Sequence, residues 1–227
     1  MSALTDKIRT RAHWQTWMRP ATFEGSRVPY QQLARAIENA KVSLRGWPLP
    51  FVDRRIDFLR GADWVGQDID AEVVSIYEAW RFWTSGQFSH LAAVGADWRG
   101  GAEATRVPQG FNGAIEVWEI LFHLTEVFEL AARLALGPAG DEEMVVGAHL
   151  EGIENRALVV GQRGRREFPN PFRSTLPSQE YELRLPRELL VADPRKPAAE
   201  MARDFFVRFG WEPSIQQLVD HQDELWD

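Results

Sequence analysis

The most strongly patterned stretch of the chain is VVSIYEAWRFWTSGQFSHLAAVGADW, residues 73–98. Its first half is rich in β-branched and aromatic residues, which favour strands. In its second half, an extended chain places Phe88 and His90 on one face and Leu91 on the other. Gly86, between the two halves, accepts the positive φ that a short turn needs. The pattern predicts an antiparallel hairpin.

The longest helical pattern covers residues 112–136. Its apolar residues recur at alternating four- and three-residue steps: Val117, Leu121, Leu124, Phe128, Ala131 and Ala135. This spacing places them on one helix face. Asn112 is expected to cap the N-terminus, and Gly137 and Pro138 to stop the helix. We expect the helix to lie across the sheet that contains the hairpin.

Shorter patterns on both sides complete the predicted secondary structure. Helical spacing and capping residues predict helices over residues 2–17, 30–40, 197–209 and 213–226. Short β-rich runs predict strands over residues 41–44, 144–150, 156–160 and 180–185, with a turn at 151–155. Residues 51–70 are expected to form a long irregular loop, pinned by Trp47, Phe51 and Trp64.

Together these elements predict a single α+β domain over residues 1–227. Its centre is a mostly antiparallel sheet of about five or six strands, because sequential hairpins favour antiparallel pairing. The long helix packs across this sheet. N-terminal helices within residues 1–40 and C-terminal helices within residues 197–226 flank it.

The segment RGWPLP, residues 45–50, cannot be regular structure. Its prolines remove backbone donors and bias the preceding residues away from helix, while Gly46 permits a sharp bend. The chain has ten tryptophans; most should fill the core, but Trp and Arg also concentrate at binding hot spots. We therefore predict an aromatic groove beside the hairpin, with these candidate binding residues: Arg45, Trp47, Arg81, Trp83 and His90.

Composition narrows the classes of function. The formal net charge of −7 disfavours a general attraction to nucleic acid or anionic membranes. The absence of cysteine removes disulfides, zinc–thiolate sites and cysteine nucleophiles. No apolar stretch is long enough to span a membrane, and the charged N-terminal residues lack the apolar core of a signal peptide. We expect a cytoplasmic protein with no membrane partner.

An enzyme whose site forms only in three dimensions is a second hypothesis. The chain lacks the G-x-x-x-x-G-K-[ST], G-x-S-x-G and H-E-x-x-H motifs. His90, near arginine and acidic residues, has the chemistry of an acid–base group, although a packed, hydrogen-bonded histidine is the more ordinary interpretation. On the long helix, Glu119, His123 and Glu126 share one side and have the chemistry of metal ligands. Their ordinary interpretation is a hydrated polar ridge.

A basic loop supports a third hypothesis, a nucleic-acid-associated factor. Its arginines would hold phosphates while Phe168 and Phe172 stack on bases; they are Arg163, Arg165, Arg166 and Arg173. Such binding would weaken steeply with added salt. The acidic net charge disfavours it.

Several segments together resemble a family of stand-alone bacterial proteins of similar length. They are LRGWPLP, WRFWTSGQF, Asp97–Trp98, FHLTEVFELAARLAL and FFVRFGWEP, and the resemblance covers nearly the whole chain. It implies a bacterial source and one shared architecture, and it supplies no catalytic or ligand residues. We expect first a non-catalytic accessory protein, without a cofactor, that binds a protein, peptide or small ligand in the aromatic groove.

Overall fold

A computed structural model describes residues 2–161 and 166–224 of the chain. Over these residues the α+β prediction is confirmed. The helices are α1 (Ala3–Ile8), α2 (Leu33–Ala40), α3 (Val117–Ala135), α4 (Arg187–Ala192), α5 (Arg195–Phe209) and α6 (Ile215–Asp223). The strands are β1 (His13–Pro20), β2 (Leu59–Arg60), β3 (Trp64–Ala71), β4 (Ile76–Trp83), β5 (Phe88–Ala93), β6 (Gly113–Glu116), β7 (Glu143–Glu151), β8 (Arg156–Val159), β9 (Phe172–Arg173) and β10 (Ser178–Pro186).

Two sheets organise these strands. The larger has seven strands in the order β10-β7-β1-β5-β4-β3-β2, and every neighbouring pair is antiparallel. The smaller has the order β6-β8-β9, with β6 parallel to β8. Among the described helices, none is long and apolar enough to cross a membrane.

Helix α3 is the central element of the core. Its 19 residues are almost all buried, because the sheet packs on one side and α4, α5 and α6 pack on the other. A helix buried around most of its circumference must also bury whatever polar side chains it carries. In α3 these are Glu119, His123, Thr125 and Glu126.

The predicted hairpin is confirmed as β4 and β5. Gly86 lies in its turn at φ +83°, and a Cβ there would come within 2.6 Å of the Ala139 carbonyl oxygen. Phe88 and His90 face the main core, whereas Leu91 packs on the opposite side of the sheet with Ile8. The hairpin thus supplies a buried histidine to the core face.

The predicted helix over residues 2–17 is wrong beyond α1. Residues 13–20 form β1, an interior strand of the large sheet, between β5 and β7. Trp14, Trp17 and Met18 have the three- and four-residue spacing of a helix, yet burial along the strand alternates, with Trp14 and Met18 inside. Three of the seven strands, β1, β2 and β3, were not predicted.

Helix α3 begins later than predicted. Its N-cap is Glu116 rather than Asn112, because residues 113–116 extend as β6 and pair with β8. The strands predicted at 144–150 and 156–160 exist but do not pair with each other, since β7 belongs to the large sheet and β8 to the small one. No strand forms at 41–44; Val42 makes an isolated bridge to Leu49 instead.

One buried ion pair connects the two sheets. Asp97, just after β5, accepts hydrogen bonds from Arg156 of β8 at 2.5 and 2.7 Å. It also accepts from the backbone N–H of Ala12 at 3.0 Å. A bidentate arginine–carboxylate pair fixes both distance and orientation. Asp97 therefore sets how the small sheet, and with it the start of α3, is placed against β1 and β5.

The predicted irregular loop at 51–70 is partly wrong, because residues 64–71 form β3. Polar side chains from the sheet hold the remaining loop: Glu78 and Trp80 bond to the backbone of Phe51. The Trp64 ring lies against Gly61 at the end of the loop. The Gln67 side chain, fully buried, accepts from the Asp53 N–H and donates to the carbonyls of Asp53 and Ile56 at 2.9–3.0 Å. Burying these groups unpaired would be costly, so Gln67 specifies the loop conformation.

Gln67→Leu is expected to destabilise the protein by about 2–3 kcal/mol, because three hydrogen bonds of about 1 kcal/mol each are lost. Urea unfolding measures this change. Gln216→Leu is the matched control, since Gln216 is exposed and its side chain bonds only to Asp220 among the described residues; it should change stability by less than about 0.5 kcal/mol. Equal effects of the two substitutions would contradict the assigned role of Gln67.

Candidate functional site

Two connected spaces lie where the hairpin, the RGWPLP segment and α3 meet. The inner chamber, about 100 Å³, lies among β1, β4, β5 and the first turns of α3. The outer cleft, about 930 Å³, extends toward the loop at 103–109 and the end of β8. Four residues line both spaces and so form the junction between them: Arg45, Trp47, Arg99 and Trp118.

The junction consists of two arginine–tryptophan pairs. The Arg45 guanidinium lies 5.4 Å from the Trp47 ring centroid, and the Arg99 guanidinium lies 5.4 Å from that of Trp118. At this separation each arginine interacts favourably with the ring face. The two cations are thus held on aromatic platforms between chamber and cleft.

Each junction arginine is anchored by a buried glutamate. Arg45 donates from Nε and Nη2 to Glu126 Oε2 at 2.8 and 2.6 Å, and Glu126 is fully buried. Arg99 donates from Nη2 to Glu116, the N-cap of α3. These charge-assisted bonds fix the guanidinium positions. The helix therefore determines where the positive charges of the site lie.

The inner chamber is lined by buried polar side chains that the described residues leave partly unpaired. Glu119 Oε1 accepts from the Gly95 N–H at 2.6 Å, whereas Oε2 has no hydrogen-bond partner there. Nε2 of His123 and both ring nitrogens of His90 also lack one, although His90 Nε2 lies 3.4 Å from a carboxylate oxygen of Glu78. Buried polar atoms are normally paired, so a group of exceptions at one place indicates a function.

The chamber histidines are positioned by a row of rings. The rings of Trp14 and His123 are 5.0 Å apart, those of His123 and His90 6.0 Å, and those of His90 and Phe88 6.3 Å. Close packing on both sides holds each imidazole in one orientation. The row connects β1, α3 and β5 across the chamber.

Burial changes the protonation of two groups on α3. It raises the pKa of Glu119 to about 7; the nearby Glu116 adds to the rise, while the Gly95 N–H, Arg99 and Arg45 oppose it. Burial also lowers the pKa of His123 well below its ordinary value, and Arg45 and His90 lower it further. At neutral pH, His123 is uncharged and Glu119 is close to its midpoint. Groups with such shifts are characteristic of functional sites.

The predicted binding residues divide into two groups. Arg45, Trp47 and His90 line the chamber. Arg81 and Trp83 lie elsewhere: the Arg81 guanidinium pairs with Asp68 at 2.7 Å, and Trp83 lies at the far end of β4. The structure thus brings three of the five candidate binding residues together.

The three predicted metal ligands do not converge on one point. Glu119, His123 and Glu126 are all buried, which contradicts the hydrated-ridge interpretation. Glu126 accepts a hydrogen bond from Arg45, and Glu119 accepts one from the Gly95 N–H. The His123 ring packs against Trp14. In residues 2–161 and 166–224, no three His, Asp or Glu side chains are placed to hold one metal ion.

The structure describes only two of the four arginines of the basic loop, because Arg163 and Arg165 lie outside the described residues. Arg166 is exposed. Arg173 donates to Asn155 at 2.5 Å and lies 4.3 Å from the Phe111 ring centroid. Nucleic-acid binding by this loop stays a prediction.

Sequence patterns did not single out several site residues. Trp14, Arg99 and Trp118 line the chamber but carry no motif. One signal was present: polar residues at 119, 123 and 126 interrupt the mostly apolar first half of the helix, and Glu116 precedes it. Charges on a buried helix must find partners or a ligand, so this interruption could have pointed to the site.

Comparison with known proteins does not add residue roles. No protein-family model, curated protein or solved structure matches the chain. Inference about function therefore depends on the chamber and cleft themselves.

Glu119→Gln is expected to change how stability depends on pH. The folded-state pKa of about 7 lies above the ordinary value of 4.5. The contribution of Glu119 to folding stability is therefore fully present below pH 4.5 and is lost as pH rises through 7. Relative to the variant, the free energy of unfolding of the native protein should fall by about 3 kcal/mol between pH 4.5 and pH 8. Urea unfolding at several pH values measures the difference. Glu200→Gln, on the exposed side of α5, should give a curve parallel to the native one; parallel curves for both variants would refute the assigned state of Glu119.

Proposed function

We propose that the protein binds a small organic anion with an aromatic or apolar body. One observation carries the proposal: two anchored arginines lie at the junction of a buried polar chamber and an apolar cleft. All hydrogen bonds from Arg45 and Arg99 to described residues come from Nε or Nη2. Nη1 of each is thus available to a carboxylate, and guanidinium–carboxylate bonds are among the stronger hydrogen bonds in proteins.

The charge at the junction favours a monoanion. Glu126 and Glu116 already balance the two arginines. A dianion such as a phosphate would therefore add two negative charges next to Glu119, whereas a carboxylate adds only one. Electrostatic attraction is strengthened by the low dielectric of a mostly buried site.

The outer cleft fits the apolar body of such a ligand. Its volume of about 930 Å³ is within the range of small-molecule sites, and its walls include large apolar side chains. These are Trp47, Trp118, Phe122, Leu158 and Phe168. A small molecule that places its carboxylate at the junction and its body in the cleft would use both features. This favours a small ligand over the protein or peptide partners also considered.

Binding is tested with three probes of one shape: 3-phenylpropanoate, 3-phenylpropan-1-ol and 3-phenylpropylamine. The anion should bind at least about tenfold more tightly than the alcohol or the amine, since bonds to charged groups contribute about 1.5–3 kcal/mol. Isothermal titration and quenching of tryptophan fluorescence measure the affinities.

Ala104→Trp tests the location of binding, because Ala104 lines the cleft and is exposed. An indole there should weaken anion binding at least about tenfold by occupying the cleft. Ala192→Trp is the control, since Ala192 is exposed at the end of α4, away from the cleft. Equal binding of all three probes, or anion binding that survives Ala104→Trp, would overturn the proposal.

A further inference from the structure

We propose that the inner chamber catalyses proton transfer on the bound anion, with Glu119 as the base and His123 as the hydrogen-bond donor to the developing oxyanion. The substrate class is a 2-oxo carboxylic acid with a hydrogen on the carbon next to the carbonyl, and the product is its enol. This inference rests on the proposed anion site, because the arginines at the junction would place the substrate.

The junction determines which substrate atoms reach Glu119. Oε2 of Glu119 lies 3.9 Å from Nη2 of Arg99. Glu119 Oε2 therefore reaches the junction, and a ligand whose carboxylate is bound by Arg99 and whose body lies in the cleft brings the first two carbons after its carboxylate beside that oxygen. In a 2-oxo acid these atoms are the carbonyl carbon and the adjacent C–H carbon, the positions where proton transfer is chemically accessible.

The surroundings of the Glu119 carboxylate suit a general base. The Gly95 N–H fixes Oε1, and Oε2, which accepts no hydrogen bond from the described residues, is the atom left for reaction. Glu119 is buried, with 6% of the residue exposed. A carboxylate in such surroundings is a stronger base than one in water, because water does not stabilise its charge.

His123 lies one turn further along α3, so its side chain and that of Glu119 project from the same side of the helix. Both line the chamber, and Nε2 of His123 has no partner among the described residues. The tautomer with its proton on Nε2 would donate a hydrogen bond to a substrate oxygen there. A neutral imidazole stabilises an enolate by donating a hydrogen bond from its N–H group to the enolate oxygen, and it carries no net charge before the reaction.

The proposed reaction moves one proton and needs no co-reactant. Glu119 Oε2 removes hydrogen from C3, and the electrons of the C3–H bond form the C2=C3 double bond. The π electrons of the C2=O bond move to oxygen, where the His123 N–H stabilises the charge. The Glu119 carboxyl then returns the same proton to that oxygen and gives the enol. The reverse sequence restores the 2-oxo acid.

The protonation states support these roles at neutral pH. A general base works best with a pKa near the working pH, and that of Glu119 is about 7. The charged or polar groups that face it are Glu116, Arg99, Arg45 and the Gly95 N–H, with His123 on its own helix. His123 stays neutral because its pKa is lowered by burial. The rate should therefore rise with pH through about 7 as Glu119 ionises.

Phenylpyruvate in deuterium oxide is the test substrate, because the O–H proton of the enol exchanges with solvent, so that the reverse reaction places deuterium on C3. Proton NMR follows the loss of the C3 signal above the buffer rate. The native protein should accelerate exchange, with a rate that increases through a midpoint near pH 7. Glu119→Gln should reduce the acceleration at least about a hundredfold, and Glu119→Asp less, because it keeps a carboxylate. Glu200→Gln should leave it unchanged.

Binding of 3-phenylpropanoate, which lacks the carbonyl and cannot enolise, is measured on the same samples. Glu119→Gln should bind it within about threefold of the native protein, which shows that the variant is folded and the anion site intact. Anion binding by the native protein without accelerated exchange overturns the catalytic inference and leaves the proposed function standing. Exchange that Glu119→Gln retains also overturns it. Absence of binding and exchange together overturns both proposals.

Discussion

The pairing of buried glutamates with arginines from distant loops is the interaction on which this structure depends. Helix α3 is enclosed on nearly all sides, so each charge it carries costs several kcal/mol unless it is paired. Glu126 recruits Arg45 from the RGWPLP segment, and Glu116 recruits Arg99 from the connector after β5. These pairs bring two irregular segments onto the helix and hold them there.

The same pairing creates the site. An arginine that satisfies a buried glutamate with some of its N–H groups still has donors to offer, and its aromatic platform excludes water from one side. Two such units beside each other form a junction with positive charge in partly apolar surroundings. The arginine–glutamate pairs that stabilise the core thus also provide the guanidinium donors of the proposed anion site, and the site requires no separate structural element.

Glu119 and His123 contrast with the paired residues on their own helix. Glu126 has its full complement of partners, but Glu119 keeps one oxygen unpaired and His123 one nitrogen, among the described residues. A sequence selected for stability alone would replace such groups with apolar ones, because an unpaired buried polar atom costs about 1–3 kcal/mol. Their position at one chamber, rather than scattered through the core, is what connects them to chemistry.

The sequence by itself determined the fold class, the hairpin at Gly86 and most of the long helix. Each follows from a local period or from turn chemistry that neighbouring residues carry. Tertiary structure decided that residues 13–20 form a central strand, because β5 and β7 supply its hydrogen bonds on both sides. It also decided that Arg99 joins Arg45 at α3. Ion pairs between residues tens of positions apart leave no period in the chain, so only the folded molecule brings the site together.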